Sequence, residues 1–325
     1  MPITTRLTER LGLTHPVILA PMGAVSGGRL AAAVSNAGGL GLIGGGYADR
    51  DWLQTELRAA GNARVGCGFI TWSLNERPEL LDLVLAHKPA AIFLSFDDPA
   101  PYARRVGEAG AMLICQVQTR RDAEGALDCG AGMLVAQGGE AGGHGGQRST
   151  MTLVAEVADL LAARAPDTLL CAAGGIAGGR GLAAALMLGA DGVLVGSRFW
   201  AAAEAQVHPD IQAAAMPAGG DDTVKTRSVD IVRHRFWPDR FQIRVLRNAF
   251  TDRWHGREAA LRDALDREAP AFQAALAAGD AQQATAIVGE AVGLIHSVEP
   301  AAVILERMVA EAERLLAAGP RYITP

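Results

Sequence analysis

Two stretches, TLLCAAGG (168–175) and GVLVGSRF (192–199), decide how the chain is read. Each is apolar nearly throughout rather than alternating, as expected of a parallel strand buried on both faces. Each then breaks into glycine or Gly-Ser, the punctuation of a strand feeding a loop. Between them GGRGLAAALMLGAD (178–191) carries apolar residues at helical spacing. The pair therefore predicts strand, glycine loop, helix, strand, glycine loop. Six similar runs lie upstream: HPVILAPM (15–22), GLGLIGGG (39–46), RVGCGFITW (64–72), PAAIFLSF (89–96), AMLICQV (111–117) and GMLVAQGG (132–139). Segments such as SGGRLAAAVSNAG (26–38), with Ser26 as a candidate N-cap and Gly38 as a stop, read as the intervening helices. Eight strands in strict βα alternation predict an α/β fold of the TIM (β/α)8 type more than an open doubly wound sheet.

After Trp200 the rhythm stops. FQIRVLRNAFTDRWHG (241–256), REAALRDALDREAPAFQAALAAG (257–279) and DAQQATAIVGEAVGLIHS (280–297) read as helical. The expected organisation is a barrel over 1–205, a mainly helical subdomain inserted after strand eight over 206–298, and a C-terminal helix within 299–325 that returns to the barrel.

Composition narrows the function classes. Half of the 325 residues are apolar, which argues against disorder, and the net charge of −5 comes from interleaved acids and bases. No basic stripe points to nucleic acid, and no stretch approaches the ~20 apolar residues of a membrane span. The N-terminus lacks the apolar core of a signal peptide, so a cytoplasmic location is expected. Cys67, Cys115, Cys129 and Cys171 form no C-x-x-C pair and read as small buried hydrophobes. The seven histidines show no metal-ligand spacing. A small-molecule partner is expected, and the sequence leaves a homo-oligomer open.

In such a barrel the chemistry sits on the loops after the strands, with phosphate often gripped after strands seven and eight. Gly174, Gly175, Gly196 and Ser197 occupy those positions here. Glycine admits main-chain N–H groups close to phosphate oxygens, Ser197 offers a hydroxyl, and a helix from about Gly179 would aim its positive end inward. Strand one ends in Ala20-Pro21-Met22-Gly23, an edge poor in side-chain bulk that can lie against a planar ring. Gly68 leaves room over the mouth at strand three. Gln116, among apolar neighbours on strand five, needs an amide partner, which a flavin pyrimidine edge or another core group would supply. The sharpest feature is Gln137-Gly-Gly-Glu-Ala141-Gly142-Gly143-His144-Gly-Gly146. Its glycines let the backbone fold around a ligand, and His144 offers a proton exchanger near neutral pH. Without a nucleophile elbow or a Walker loop, an organic cofactor is expected to carry the reaction.

APMG after strand one, AQGGEAGGHGG after strand six, AAGGI after strand seven and GVLVGSRF at strand eight resemble the nitronate monooxygenases. The resemblance implies a (β/α)8 barrel binding FMN without a covalent link. It implies oxidation of a nitronate or nitroalkane, with O2 as final oxidant, to a carbonyl compound and nitrite. It also implies that Met22 and its neighbours flank the isoalloxazine, Ala141 to Gly143 run beside it, and Gly174, Gly175, Gly196 and Ser197 hold the phosphate. His144 matches the family's histidine for substrate binding or proton transfer. Gly68 and Gln116 depart from the Asn and Lys found at these positions in many relatives. An NAD(P)H-dependent FMN reductase is the competing expectation, and a non-catalytic phosphate-metabolite sensor a third.

Overall fold

The computed structural model describes residues 3–322. The strands are β1 (Val17–Leu19), β2 (Leu42–Gly46), β3 (Gly66–Ile70), β4 (Ala91–Ser95), β5 (Met112–Val117), β6 (Met133–Gln137), β7 (Gly143–Gly145), β8 (Leu169–Ala173), β9 (Gly192–Val195), β10 (Thr223–Thr226) and β11 (Gln242–Leu246). Eight of them form one all-parallel sheet in the order β1-β9-β8-β6-β5-β4-β3-β2. Each coincides with one of the eight apolar runs. The sheet closes through a parallel bridge between Ile18 and Leu40, with Leu19 N donating to Leu40 O (2.9 Å). The fold is the (β/α)8 barrel that the alternation predicts.

The unbroken apolar character of the strands has a direct cause. Ile18, Leu42, Phe93, Ile114, Met133, Val135, Cys171 and Leu194 fill the barrel interior. Their chain neighbours Val17, Leu19, Ile43, Ile92, Cys115, Leu134, Leu170 and Val193, and Cys67 of β3, pack outward against the helices. Period-two alternation thus sends residues to two buried faces instead of one buried and one wet. Leu7 and Leu11, from the helix Arg6–Leu11, join the interior cluster, and Arg6 pairs with Asp191 (2.7 Å). Burial pushes the Cys67 and Cys115 thiols up to about 12 and raises Cys171 further, as befits inert packing groups.

Two local expectations need correcting. The N-cap of the helix Gly28–Asn36 is Gly27, not Ser26. The Ser26 hydroxyl instead accepts from Met22 N (2.7 Å), tightening the turn after β1. The stretch 241–256, expected to be helical, also begins with a strand. Gln242–Leu246 is a strand that pairs antiparallel with β10 on one side and with β7 on the other. Its burial alternates, with Ile243 and Val245 in the core and Gln242, Arg244 and Leu246 half-buried. The period-two signal of Gln-Ile-Arg-Val-Leu lay in the sequence, but adjoining Arg- and Ala-rich segments gave the stretch a helical cast. The helices Ala249–Trp254, Glu258–Asp263 and Leu265–Ala278 cover this small sheet through Phe250, Trp254, Leu261 and Phe272.

The helix Ala301–Ala317 packs on the helices Gly179–Met187 and Gly28–Asn36, adding Ile304, Leu305, Met308 and Val309 to the outer barrel core. The last three residues, 323–325, lie outside the described residues. Among the described residues no helix is long and apolar enough to cross a membrane, and no cluster of His, Cys, Asp and Glu could hold a metal ion.

Candidate active site

A cavity of about 440 Å3 opens at the C-terminal ends of the barrel strands, within the size range of small-molecule and cofactor pockets. All fifteen residues singled out from the sequence line it: Ala20 to Gly23, Gly68, Gln116, Gln137, Ala141 to His144, Gly174, Gly175, Gly196 and Ser197. They come from six different strand ends, so only barrel closure brings them together.

At the β8–β9 end the wall is mainly main chain. Gly174 and Gly175 have φ of +102° and +73°, a left-handed backbone that other residues rarely adopt. A Cβ on Gly174 would sit 2.8 Å from Thr150 Oγ1 and 3.0 Å from Gly138 O, so this turn is pressed against the loop after β6. Gly196 differs. A Cβ there would meet only Ala20 Cβ and Met22 Sδ, at 3.7 and 3.8 Å, and the residue borders the cavity without being packed by protein. Ser197 begins the short helix Ser197–Trp200, and its Oγ accepts from Gly289 N (2.9 Å), leaving the hydroxyl hydrogen available. The helix from Gly179 does not serve as expected. Gly179 N donates to Glu311 Oε2 (2.6 Å), so a carboxylate of the C-terminal helix already takes that positive end, and Gly179 does not border the cavity.

Along the floor, Gly68 has no space for a side chain, because a Cβ would lie 2.4 Å from the Pro21 ring. Gln116 Nε2 donates to Gln137 Oε1 (3.1 Å), as does Gln118 Nε2 (3.0 Å), while Gln137 Nε2 donates to His144 O (3.2 Å). The amide partner that Gln116 required is thus another glutamine, in a chain that also holds the backbone of His144.

His144 lies on β7, opposite Ile243 of β11. Its Nε2 sits 2.9 and 3.0 Å from the two carboxylate oxygens of Asp230, on the short helix Ser228–Val232. The two side chains are only 9% and 5% exposed, so this pairing is screened from water. Trp237 stacks on the imidazole with centroids 3.4 Å apart and planes 8° from parallel. Burial holds the His144 pKa below the ordinary histidine value, with Asp230 opposing that shift. Trp237 Nε1 donates to the Tyr47 hydroxyl (3.0 Å), and Phe96 meets Trp237 edge-on at 5.0 Å. Phe96 holds φ of +71°, a conformation that costs a bulky residue about 1–3 kcal/mol unless its surroundings impose it. Arg233 and Arg235 border the mouth, and the Arg235 guanidinium lies 4.1 Å from the Tyr47 ring centroid.

Asp230, Trp237, Tyr47 and Phe96 escaped the sequence reading. Nothing local marks them: Tyr47 and Phe96 follow β2 and β4 of the barrel, whereas Asp230 and Trp237 come from the segment between β10 and β11 and are distant in sequence from His144.

The comparisons with known proteins agree with this architecture. A family profile described as nitronate monooxygenase matches residues 4–64 and 74–311. The nitronate monooxygenase of Neurospora crassa is 34% identical, covering 92% of this chain and 89% of its own. A Mycobacterium tuberculosis protein named (3aS,4S,5R,7aS)-5-hydroxy-7a-methyl-1-oxo-octahydro-1H-indene-4-carboxyl-CoA dehydrogenase is also 34% identical, over 72% of this chain but only 66% of its own. Among solved structures, FabK from Thermotoga maritima superposes with a TM-score of 0.86 at 30% identity, covering 99% of this chain and 100% of its own. The nitroalkane oxidase of Streptomyces ansochromogenes gives 0.81 at 27%, covering 96% and 99%. With its barrel, its site loops and a profile match over most of its length, the chain belongs to the nitronate monooxygenase family of oxidoreductases.

Proposed function

We propose that the protein binds FMN and oxidises nitronates or nitroalkanes with O2, giving a carbonyl compound and nitrite. The observation that carries this reading is a single cavity joining the glycine turns after β8 and β9 to the imidazole of His144. The residues fit the cofactor. Gly196 borders space that its own missing side chain would enter, and the Ser197 hydroxyl has a hydrogen to give. Main-chain N–H groups and a hydroxyl suit a phosphate. Gly174 and Gly175 shape the same turn. Ala20, Pro21, Met22 and Gly23 would flank the ring system, with Gly68 keeping the floor low. Gln116 and Gln137 would offer amide groups to its polar edge, and Ala141, Gly142 and Gly143 would run alongside.

FMN would accept the two electrons of the substrate and pass them to O2. The chain's own work is to bind, orient and handle a proton. For a neutral nitroalkane His144 is the base for the α-proton, and the lowered pKa keeps it unprotonated at neutral pH. For a nitronate, already anionic, Arg233 and Arg235 at the mouth favour entry. O2 and the small-molecule substrate are the partners in this reading.

The same two arginines also suit a nucleotide phosphate, which keeps an NAD(P)H-dependent FMN reductase as the competing reading. The test is the identity of the flavin released on denaturation, together with the stoichiometry of nitrite formed to nitronate consumed under air. FMN at one per chain with matched nitrite supports the proposal. A different flavin, or none, removes it.

A further inference from the structure

The imidazole of His144 is held on three sides. Strand pairing with Ile243 and the bond from Gln137 fix its backbone. Trp237 fixes the plane of its ring. Asp230 takes one ring nitrogen, with both carboxylate oxygens converging on Nε2. An ionised carboxylate can only accept hydrogen bonds, so Nε2 must carry the hydrogen. In a neutral imidazole the lone pair then lies on Nδ1.

We propose that Asp230 is the positioning residue of the site, fixing His144 as the Nε2–H tautomer and making Nδ1 the atom that takes the substrate proton. With a nitroalkane the α-C–H bond breaks and its proton passes to Nδ1. The bonding pair moves into the C=N bond of the nitronate, whose negative charge rests on the nitro oxygens. His144 becomes an imidazolium that keeps its Nε2–H on Asp230 and carries the new proton on Nδ1. The proton leaves to water once the product has gone. Two charged groups act on the ring: Asp230 favours the protonated form, and Arg233 opposes it together with burial. Trp237 and Phe96, which complete the enclosure, carry no charge. A buried imidazole that must gain a proton needs a fixed counter-charge, and Asp230 supplies one within hydrogen-bond distance. A substrate supplied as the nitronate has already lost its proton and makes no demand on Nδ1.

The inference rests on the proposed function for its kinetic arm alone; the tautomer is read independently. Long-range proton–nitrogen spectra of the flavin-loaded protein with 15N-labelled histidine, assigned through His144→Asn, should show His144 protonated at Nε2 and bare at Nδ1. An Nδ1–H tautomer in the unaltered protein overturns the proposal without reference to any substrate. For the kinetic arm, Asp230→Asn should lower kcat/KM for a nitroalkane at least about tenfold and for preformed propyl-2-nitronate by less than about threefold, since only the first requires the base. Asp230→Glu should recover part of the loss. The acid limb of the nitroalkane profile should move to lower pH in Asp230→Asn, because the imidazolium loses its counter-charge. Equal losses on both substrates would mean a merely structural role and overturn the proposal, as would no loss on either. If the unaltered protein turns over neither substrate, the functional reading fails while the spectrum still decides the tautomer.

Discussion

At the β8–β9 end of the cavity the wall is mainly main chain, set by glycines in the turns that follow two neighbouring strands. At the His144 end it is side chains from distant segments, Asp230 being 86 residues from the histidine and Trp237 190 residues from Tyr47. The first end needs little beyond strand, turn and strand. The second exists only when the sheet of β7, β10 and β11 has formed over the barrel mouth. A phosphate is recognised by N–H groups that every residue owns, so backbone shape suffices. A proton exchanger needs a particular tautomer and a screened environment, so it needs partners, which a second layer of chain provides.

The largest expected effect would break the first end. Gly196→Leu places its Cβ in ordinary contact and the rest of the side chain in the cavity, so FMN should be lost while the fold persists. Purified variant that stays fully yellow would refute the phosphate placement. Gly174→Val is the contrasting change, because left-handed backbone and a close carbonyl penalise it whatever binds there. It should lower thermal stability in the flavin-free protein as well, and an unchanged melting temperature would contradict the packing described.

His144→Ala comes next and addresses the second end. It should keep flavin and lower nitroalkane turnover by a factor of about 100 or more, the usual range for losing a positioned base. Unchanged turnover would remove His144 from the reaction. Trp237→Ala should act more gently and through pH. Removing the stacked indole lets water reach the imidazole, which relieves the burial that holds its pKa down. The pKa rises, more of the histidine is protonated near neutrality, and the acid limb of nitroalkane kcat/KM moves to higher pH. This is opposite in sign to Asp230→Asn, and a shift in the same direction for both would show that burial and charge have been misassigned.

Arg240→Ala should do least. Arg240 reaches Asp122 on the helix Arg120–Asp128 from an exposed position, and such pairs contribute about 0–1 kcal/mol. If this change released flavin or abolished turnover, the loop carrying Trp237 would be held by the ion pair and not by its aromatic contacts.

The same contrast explains what the sequence disclosed. Buried parallel strands advertise themselves as continuous apolar runs, and glycines at their ends mark turns, so the barrel and fifteen of the residues that line the cavity were legible in the sequence. The helix at Gly179 looked like an anion site because the rule for helix ends is local, whereas the group that occupies it, Glu311, is 132 residues away. Gln242 to Leu246 carried a period-two pattern outweighed by neighbouring residues of helical character. Asp230 and Trp237 carried no signal, since one Asp among apolar residues of a short helix and one Trp beside a Pro become meaningful only against His144.

The central claim is most directly tested by visible spectra of the purified flavin-loaded protein without air, with propyl-2-nitronate in one cuvette and NADH in another. Bleaching by the nitronate and not by NADH, followed by nitrite when air is admitted, is the predicted result. Rapid bleaching by NADH with no response to the nitronate would contradict it and assign the cavity to a reductase.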